Sequence, residues 1–96
     1  MKCEVLQTDE FERWYKKQTL KIKALISDRI ERLKEYGHMG NSRAIETNLF
    51  EFKWKIGLRI YFCFQGKKIV LLLNGGKKNA QKKDIERAKR LKKKYS

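Results

Sequence analysis

The order of apolar and polar positions splits the chain into a helical first part and a stranded second part. Phe11, Trp14 and Tyr15 stand at i, i+3, i+4. Ile22, Leu25, Ile26, Ile30, Leu33 and Tyr36 then repeat that period, so two amphipathic helices are predicted in succession. Thr8 or Asp9 offers an N-cap for the first, with Asp9 and Glu12 at capping-box spacing, and Gly37 closes the second. Ahead of them, Cys3, Val5 and Leu6 mark a short strand over residues 2–6.

Beyond the loop 37–42 the period drops to two, with a brief extra strand over 43–46. Phe50, Phe52 and Trp54 alternate with Glu51, Lys53 and Lys55. Leu58, Ile60, Phe62 and Phe64 alternate with Arg59, Tyr61, Cys63 and Gln65. Successive strand side chains point to opposite faces, so one face is apolar and the other polar and largely basic. Gly66-Lys67 forms a hairpin turn, and Ile69 to Leu73 is an unbroken apolar run suited to a more buried strand. Gly75-Gly76 closes that strand, and a last helix runs from about Ala80 to Tyr95 with Ile85, Ala88, Leu91 and Tyr95 inward. The expected fold is α+β in the order β-α-α-β-β-β-α, a single domain over residues 1–96. It has an antiparallel sheet of about four strands, a helical pair packed on one face and a basic C-terminal helix.

Two Trp, four Tyr and five Phe supply bulk for a core in 96 residues, so the 38% of charged residues do not imply a disordered polyelectrolyte. Charge then narrows the class of partner. Twenty-five basic against eleven acidic residues leave +14, and residues 77–96 hold ten of the basic and two of the acidic ones. Such a field attracts nucleic acid, an anionic membrane surface or an acidic protein. A merely soluble surface needs only a few net charges. Cys3 and Cys63 are too few for a disulfide framework and lack metal-ligand spacing, so free thiols are expected. There is no apolar leader and no run near the roughly 20 residues that span a bilayer, which points to the cytoplasm and away from the membrane.

The polar parity of the two alternating strands carries Glu51, Lys53, Lys55, Arg59 and Tyr61. Cations that neutralise phosphate beside a ring that can stack on a base suit RNA. A solvated face with cross-strand ion pairs is the plain alternative. Asn74-Gly75-Gly76-Lys77-Lys78 precedes a helix N-terminus, which suits an anion or simply a turn and a cap; its spacing is not that of a P-loop. His38 is the single histidine, which excludes a two-histidine ribonuclease. Glu51 has no carboxylate neighbour on its strand face and no Cys/His cluster exists, so no metal site is expected. The absence of helix-turn-helix spacing argues against a DNA-binding regulator.

Three blocks sharpen this reading: Leu49-Phe50-Glu51-Phe52-Lys53, Leu58-Arg59-Ile60-Tyr61-Phe62, and the stretch from Ile69 to Ala88 containing Gly75-Gly76-Lys77-Lys78-Asn79-Ala80-Gln81-Lys82-Lys83-Asp84-Ile85. With Phe11 and Trp14, the series resembles the addiction-module killer proteins of the RelE/HigB superfamily. The resemblance implies a toxin of a toxin–antitoxin pair that cuts mRNA on the ribosome and is silenced by a cognate antitoxin protein, with no metal or small-molecule cofactor. Family catalytic positions fall, by matched motif, on Glu51, Lys53, Arg59 and Lys78, with Tyr61 nearby. Lys55, Lys77, Gln81, Lys82, Lys83 and Arg87 are expected to bind RNA. One departure stands out, because the family's commoner Glu-Leu-Arg reads Glu51-Phe52-Lys53 here and a planar guanidinium becomes a point charge. In metal-free cleavage the RNA 2′-OH attacks the adjacent phosphorus. Arg59 and Lys78 are then candidates for charge stabilisation, Glu51 or a desolvated Lys53 for the 2′ proton, and Tyr61 for stacking or proton donation. The alternative on the same face is a basic RNA- or ribosome-binding module that does not cut.

Overall fold

Thr8 sets the first junction of the fold. It follows strand β1 (Glu4–Gln7) and caps helix α1 (Asp9–Lys16), its Oγ1 accepting from the Phe11 N–H at 3.0 Å and donating to the Leu73 carbonyl at 2.6 Å. The cap is therefore Thr8 alone, and Asp9 and Glu12 lie within the helix rather than forming the expected box. The computed structural model describes residues 3–37 and 39–95. Helix α2 (Leu20–Tyr36) is capped by Thr19 and ends where Gly37 takes a left-handed φ of 66°. There a side chain would be strained, as the sequence pattern anticipated.

Five strands follow from the period-two region and β1 together: β2 (Ser42–Glu46), β3 (Leu49–Lys53), β4 (Leu58–Phe64) and β5 (Ile69–Lys77) join β1 in the order β1-β5-β4-β3-β2. The brief strand read over 43–46 is thus real and forms one edge, making five strands instead of about four. The sheet is also not wholly antiparallel. β1 runs parallel to β5, pairing Val5 with Val70 and Leu6 with Leu71. The helical pair carries the chain across the sheet from one edge to the other, so β5 returns alongside β1 in the same direction.

The apolar parity of β3 and β4 faces α1 and α2, as alternation predicts. Phe52 stacks on Phe62 at 4.2 Å between ring centroids, and Phe11, Ile26, Leu33, Leu58, Ile60, Val70 and Leu72 complete this layer. The other parity was expected to be open, and it is not. Helix α3 (Gln81–Tyr95), reached through a short 3-10 turn (Lys78–Ala80), lies across it. Ala88, with Ile85 and Leu91, packs on Leu49, Tyr61, Cys63, Leu71 and Leu73 as a second core. The reason lies in β5, whose unbroken apolar run places Val70 and Leu72 on one face but Leu71 and Leu73 on the other. Both faces then need a cover. Tyr95, expected inward, is 37% exposed beyond the end of this packing.

Gly75 and Gly76 do not close β5; the strand runs through them to Lys77. They are where helices approach the sheet from both sides. A Cβ on Gly75 would meet the Trp14 ring of α1 at 2.5 Å, and one on Gly76 would run into the Asp84 carboxylate of α3. Just before them, Tyr61 pairs with Asn74 while Phe62 pairs with Leu72, so Leu73 is an inserted residue. This bulge turns Leu73 and Asn74 toward the same helix, α3.

Candidate functional site

The predicted catalytic residues lie on two cross-strand rows. Glu51, Tyr61 and Asn74 are register partners on β3, β4 and β5; Lys53, Arg59 and Gly76 are the next row. Lys53 and Arg59 therefore share a face, as alternation requires. The expectation of an open platform fails nonetheless, because α3 and its leading turn cover most of it. Glu51 and Tyr61 are 0% exposed and Arg59 is 7% exposed.

Each buried group has its own environment. The Glu51 carboxylate accepts from Arg43 Nε of β2 at 2.8 Å and from Gln81 Nε2 of α3 at 2.7 Å. An uncompensated carboxylate at this depth costs on the order of several kcal/mol, so the two donors are what allow it to stay there. Arg59 turns Nη1 onto the carbonyls of Trp54, at 3.1 Å, and Leu58, at 2.9 Å. It holds the β3–β4 turn and does not project into solvent. Burial, and next the charge of Glu51, hold the Tyr61 phenol protonated well above its usual range, so it is a donor and not a base. Among the described residues, Tyr61 Oη, Arg59 Nε and Asn74 Oδ1 are buried without hydrogen-bond partners. Asn74 Nδ2 does bond the Asp84 carbonyl, at 3.0 Å, and burial pushes the Asp84 carboxyl upward.

The accessible cations gather at one end of the sheet, around the turn that Arg59 holds. Lys78 N–H donates to the Gly57 carbonyl at 2.7 Å, and Lys77 pairs with Leu58 across the strands. This fastens the start of the 3-10 turn to the β3–β4 turn. Lys55, Lys77 and Lys78 are exposed there, Lys53 is half-buried beside them, and Lys82 and Lys83 extend the exposed charge along α3. Lysines from the ends of β3 and β5 and from the turns beside them thus form a rim around one end of the sheet. Lys77, in register with Leu58, lies on the face opposite Lys53, so phosphates can be met from either side. Arg87 is not part of it, since its Nε reaches Glu10 of α1 at 3.4 Å. Gln81 points inward to Glu51.

Three participants escaped the sequence pattern. Arg43 was readable only once β2 was known to pair with β3 in the register that sets it opposite Glu51. Asn74 faces α3 because of the bulge, which alternation does not foretell. Arg29 of α2 lies 4.0 Å from the Trp54 ring centroid and donates from Nη1 to the carbonyls of Asn41 and Lys53, at 3.2 and 3.1 Å. Nothing in helical periodicity marks it. His38 lies outside the described residues. Among the described residues no three His, Cys, Asp or Glu side chains come together as metal ligands would, and no helix is long and apolar enough to cross a membrane.

Comparison with known proteins agrees with this architecture. Residues 13–93 match the family described as phage derived protein Gp49-like (DUF891). An uncharacterized protein of Haemophilus influenzae is 36% identical over 94 residues, covering 95% of this chain and 94% of its own length. Among solved structures, a mutant of the E. coli toxin RelE in the free state superposes with a TM-score of 0.74 at 16% identity, covering 94% of this chain and 98% of that one. The RelB-RelE antitoxin-toxin complex of Methanococcus jannaschii gives a TM-score of 0.69 at 13% identity, covering 82% of this chain and 96% of the matched chain. The intact E. coli RelBE complex gives 0.65 at 13% identity, with 78% and 95% covered.

Proposed function

Because the chain belongs to the phage-derived Gp49-like family and has the fold of RelE toxins, we propose that it is the toxin of a toxin–antitoxin pair and cuts mRNA on the ribosome. The observation that supports this most directly is the lysine rim, in which Lys53, Lys55, Lys77 and Lys78 surround the turn fixed by Arg59. In the proposed reaction the 2′-oxygen of a nucleotide forms a bond to the adjacent phosphorus as the bond to the 5′-oxygen breaks. The 2′ proton leaves, and the departing 5′-oxygen takes one up. The products are a 2′,3′-cyclic phosphate and a 5′-hydroxyl, with no metal or cofactor drawn on. Lys53 and Lys78 offset the charge that builds on the phosphoryl oxygens. Arg59 acts through the turn it holds, and Tyr61 supports the rim from beneath.

The partner that silences such a surface is an acidic or mixed-charge antitoxin, by complementarity with a +14 chain. Cytoplasmic mRNA is the matching substrate. A second reading, a basic RNA- or ribosome-binding module without cleavage, is favoured by the sealing of Glu51 and Tyr61. Mapping the 5′ ends of cellular mRNA after brief induction separates the two. Growth arrest with new ends inside translated frames, both abolished by Lys53→Ala with Lys78→Ala, is the expected result. Intact transcripts with folded wild-type protein would leave only the binding module.

A further inference from the structure

A carboxylate that takes a proton from a substrate hydroxyl must present an oxygen to it. Here the Glu51 carboxylate is 0% exposed, and its two oxygens are engaged by Arg43 Nε and Gln81 Nε2. Arg43, by contrast, keeps its side chain 48% exposed while bonded to that buried anchor. The bond uses Nε, the inner nitrogen, so the terminal Nη1 and Nη2 are not the atoms bonded to Glu51. Its cross-strand partner is Glu51, so Arg43 stands on the same sheet face as Lys53.

We infer that Arg43 is a phosphate-contacting residue of the RNA site, held in one orientation by the buried Glu51, which Gln81 bonds in turn. This deepens the RNA-cleavage reading and rests on it. Phosphate is matched best by a planar fork of donors, which a lysine ammonium does not offer. The strands carry two arginines, Arg43 and Arg59, and Arg59 is buried with Nη1 spent on the Trp54 and Leu58 carbonyls. Arg43 therefore supplies the one accessible guanidinium on these strands, and so makes good the planar group that Lys53 lacks. Glu51 and Gln81 are positioning residues, and removal of the 2′ proton falls to a group on the rim.

The test uses the full chain and a single-stranded RNA oligonucleotide whose 2′-hydroxyls are methylated, so that it binds and cannot be cut. Dissociation constants are measured across a salt series for wild type, Arg43→Lys and Glu51→Gln. Arg43→Lys leaves the net charge and the ion pair with Glu51 in place, so it folds and isolates the fork. With the charge kept, the salt slope should stay as in wild type, while loss of the fork weakens binding roughly tenfold at every salt concentration. Wild-type affinity across the series overturns the assignment. Transcript cleavage by Glu51→Gln, whose amide oxygen still accepts from Arg43, should fall about tenfold, whereas removal of a general base costs about 10²–10⁴-fold. A loss of the larger size in a folded variant makes Glu51 the base and overturns its positioning role. If wild type binds RNA but cuts no transcript, the cleavage reading fails while the affinity of Arg43→Lys still decides the Arg43 contact.

Discussion

Arg29 shows how a residue outside the predicted site shapes it. Its guanidinium lies over Trp54 and its Nη1 bridges Asn41 and Lys53, so one α2 side chain ties the end of β3 to the segment before β2. Replacing it with Met keeps the aliphatic stem and removes both bonds, at an expected cost of about 2–3 kcal/mol from two charge-assisted hydrogen bonds and a cation–π contact. Chemical denaturation of Arg29→Met checks this, and a change below about 0.5 kcal/mol would reduce the clamp to a surface contact. Tyr61 makes a pH-dependent expectation. Its folded-state value lies above that of the unfolded chain, so the unfolded state loses its phenolic proton first and stability falls as pH rises past about 10. Tyr61→Phe should remove that part of the alkaline decline. Thermal midpoints of both proteins between pH 8 and pH 11, compared as a difference, isolate it from the lysines. At this scale the residue types and their parity were legible, and exposure was not. A polar residue on a strand reads as outward unless its partner is known, and the partners of Glu51 lie on β2 and α3.

Among the elements, β5 held the information that the second face needs a cover. Its apolar run feeds both layers, and α3 offers Ile85, Ala88 and Leu91 at helical spacing to meet Leu71 and Leu73. Periodicity named both stripes without saying that they face each other. The paired glycines were misread for a related reason. Gly most often marks a turn, but Gly75 here admits the Trp14 ring and Gly76 the Asp84 carboxylate. Gly75→Ala drives a methyl into an aromatic ring and should cost about 1–3 kcal/mol, read as a lowered denaturant midpoint. Combining it with Trp14→Leu should recover part of the loss, because the ring that blocks the methyl is gone. Additive losses in the double variant would place the strain elsewhere.

For the whole molecule the dominant fact is self-repulsion. A net +14 on 96 residues lowers the stability of the compact state, and salt should relieve it. Raising sodium chloride from 50 to 500 mM is expected to raise the melting temperature by roughly 4–8 °C, equivalent to about 1 kcal/mol for a domain of this size. The same change should weaken RNA binding, so stability and affinity move in opposite directions along one salt axis. A melting temperature that falls with salt would mean that ion pairs such as Lys92–Glu46 and Arg87–Glu10 outweigh the repulsion. The parallel neighbours β1 and β5 add a kinetic consequence. Thr8 and Leu73 are 65 positions apart in the chain, so the edge strand can dock only after nearly all the intervening polypeptide has been gathered in. Closing a loop of that length slows the search without altering the final balance greatly. Moving β1 to the other terminus by circular permutation, so that it follows α3, would shorten the search and should quicken assembly.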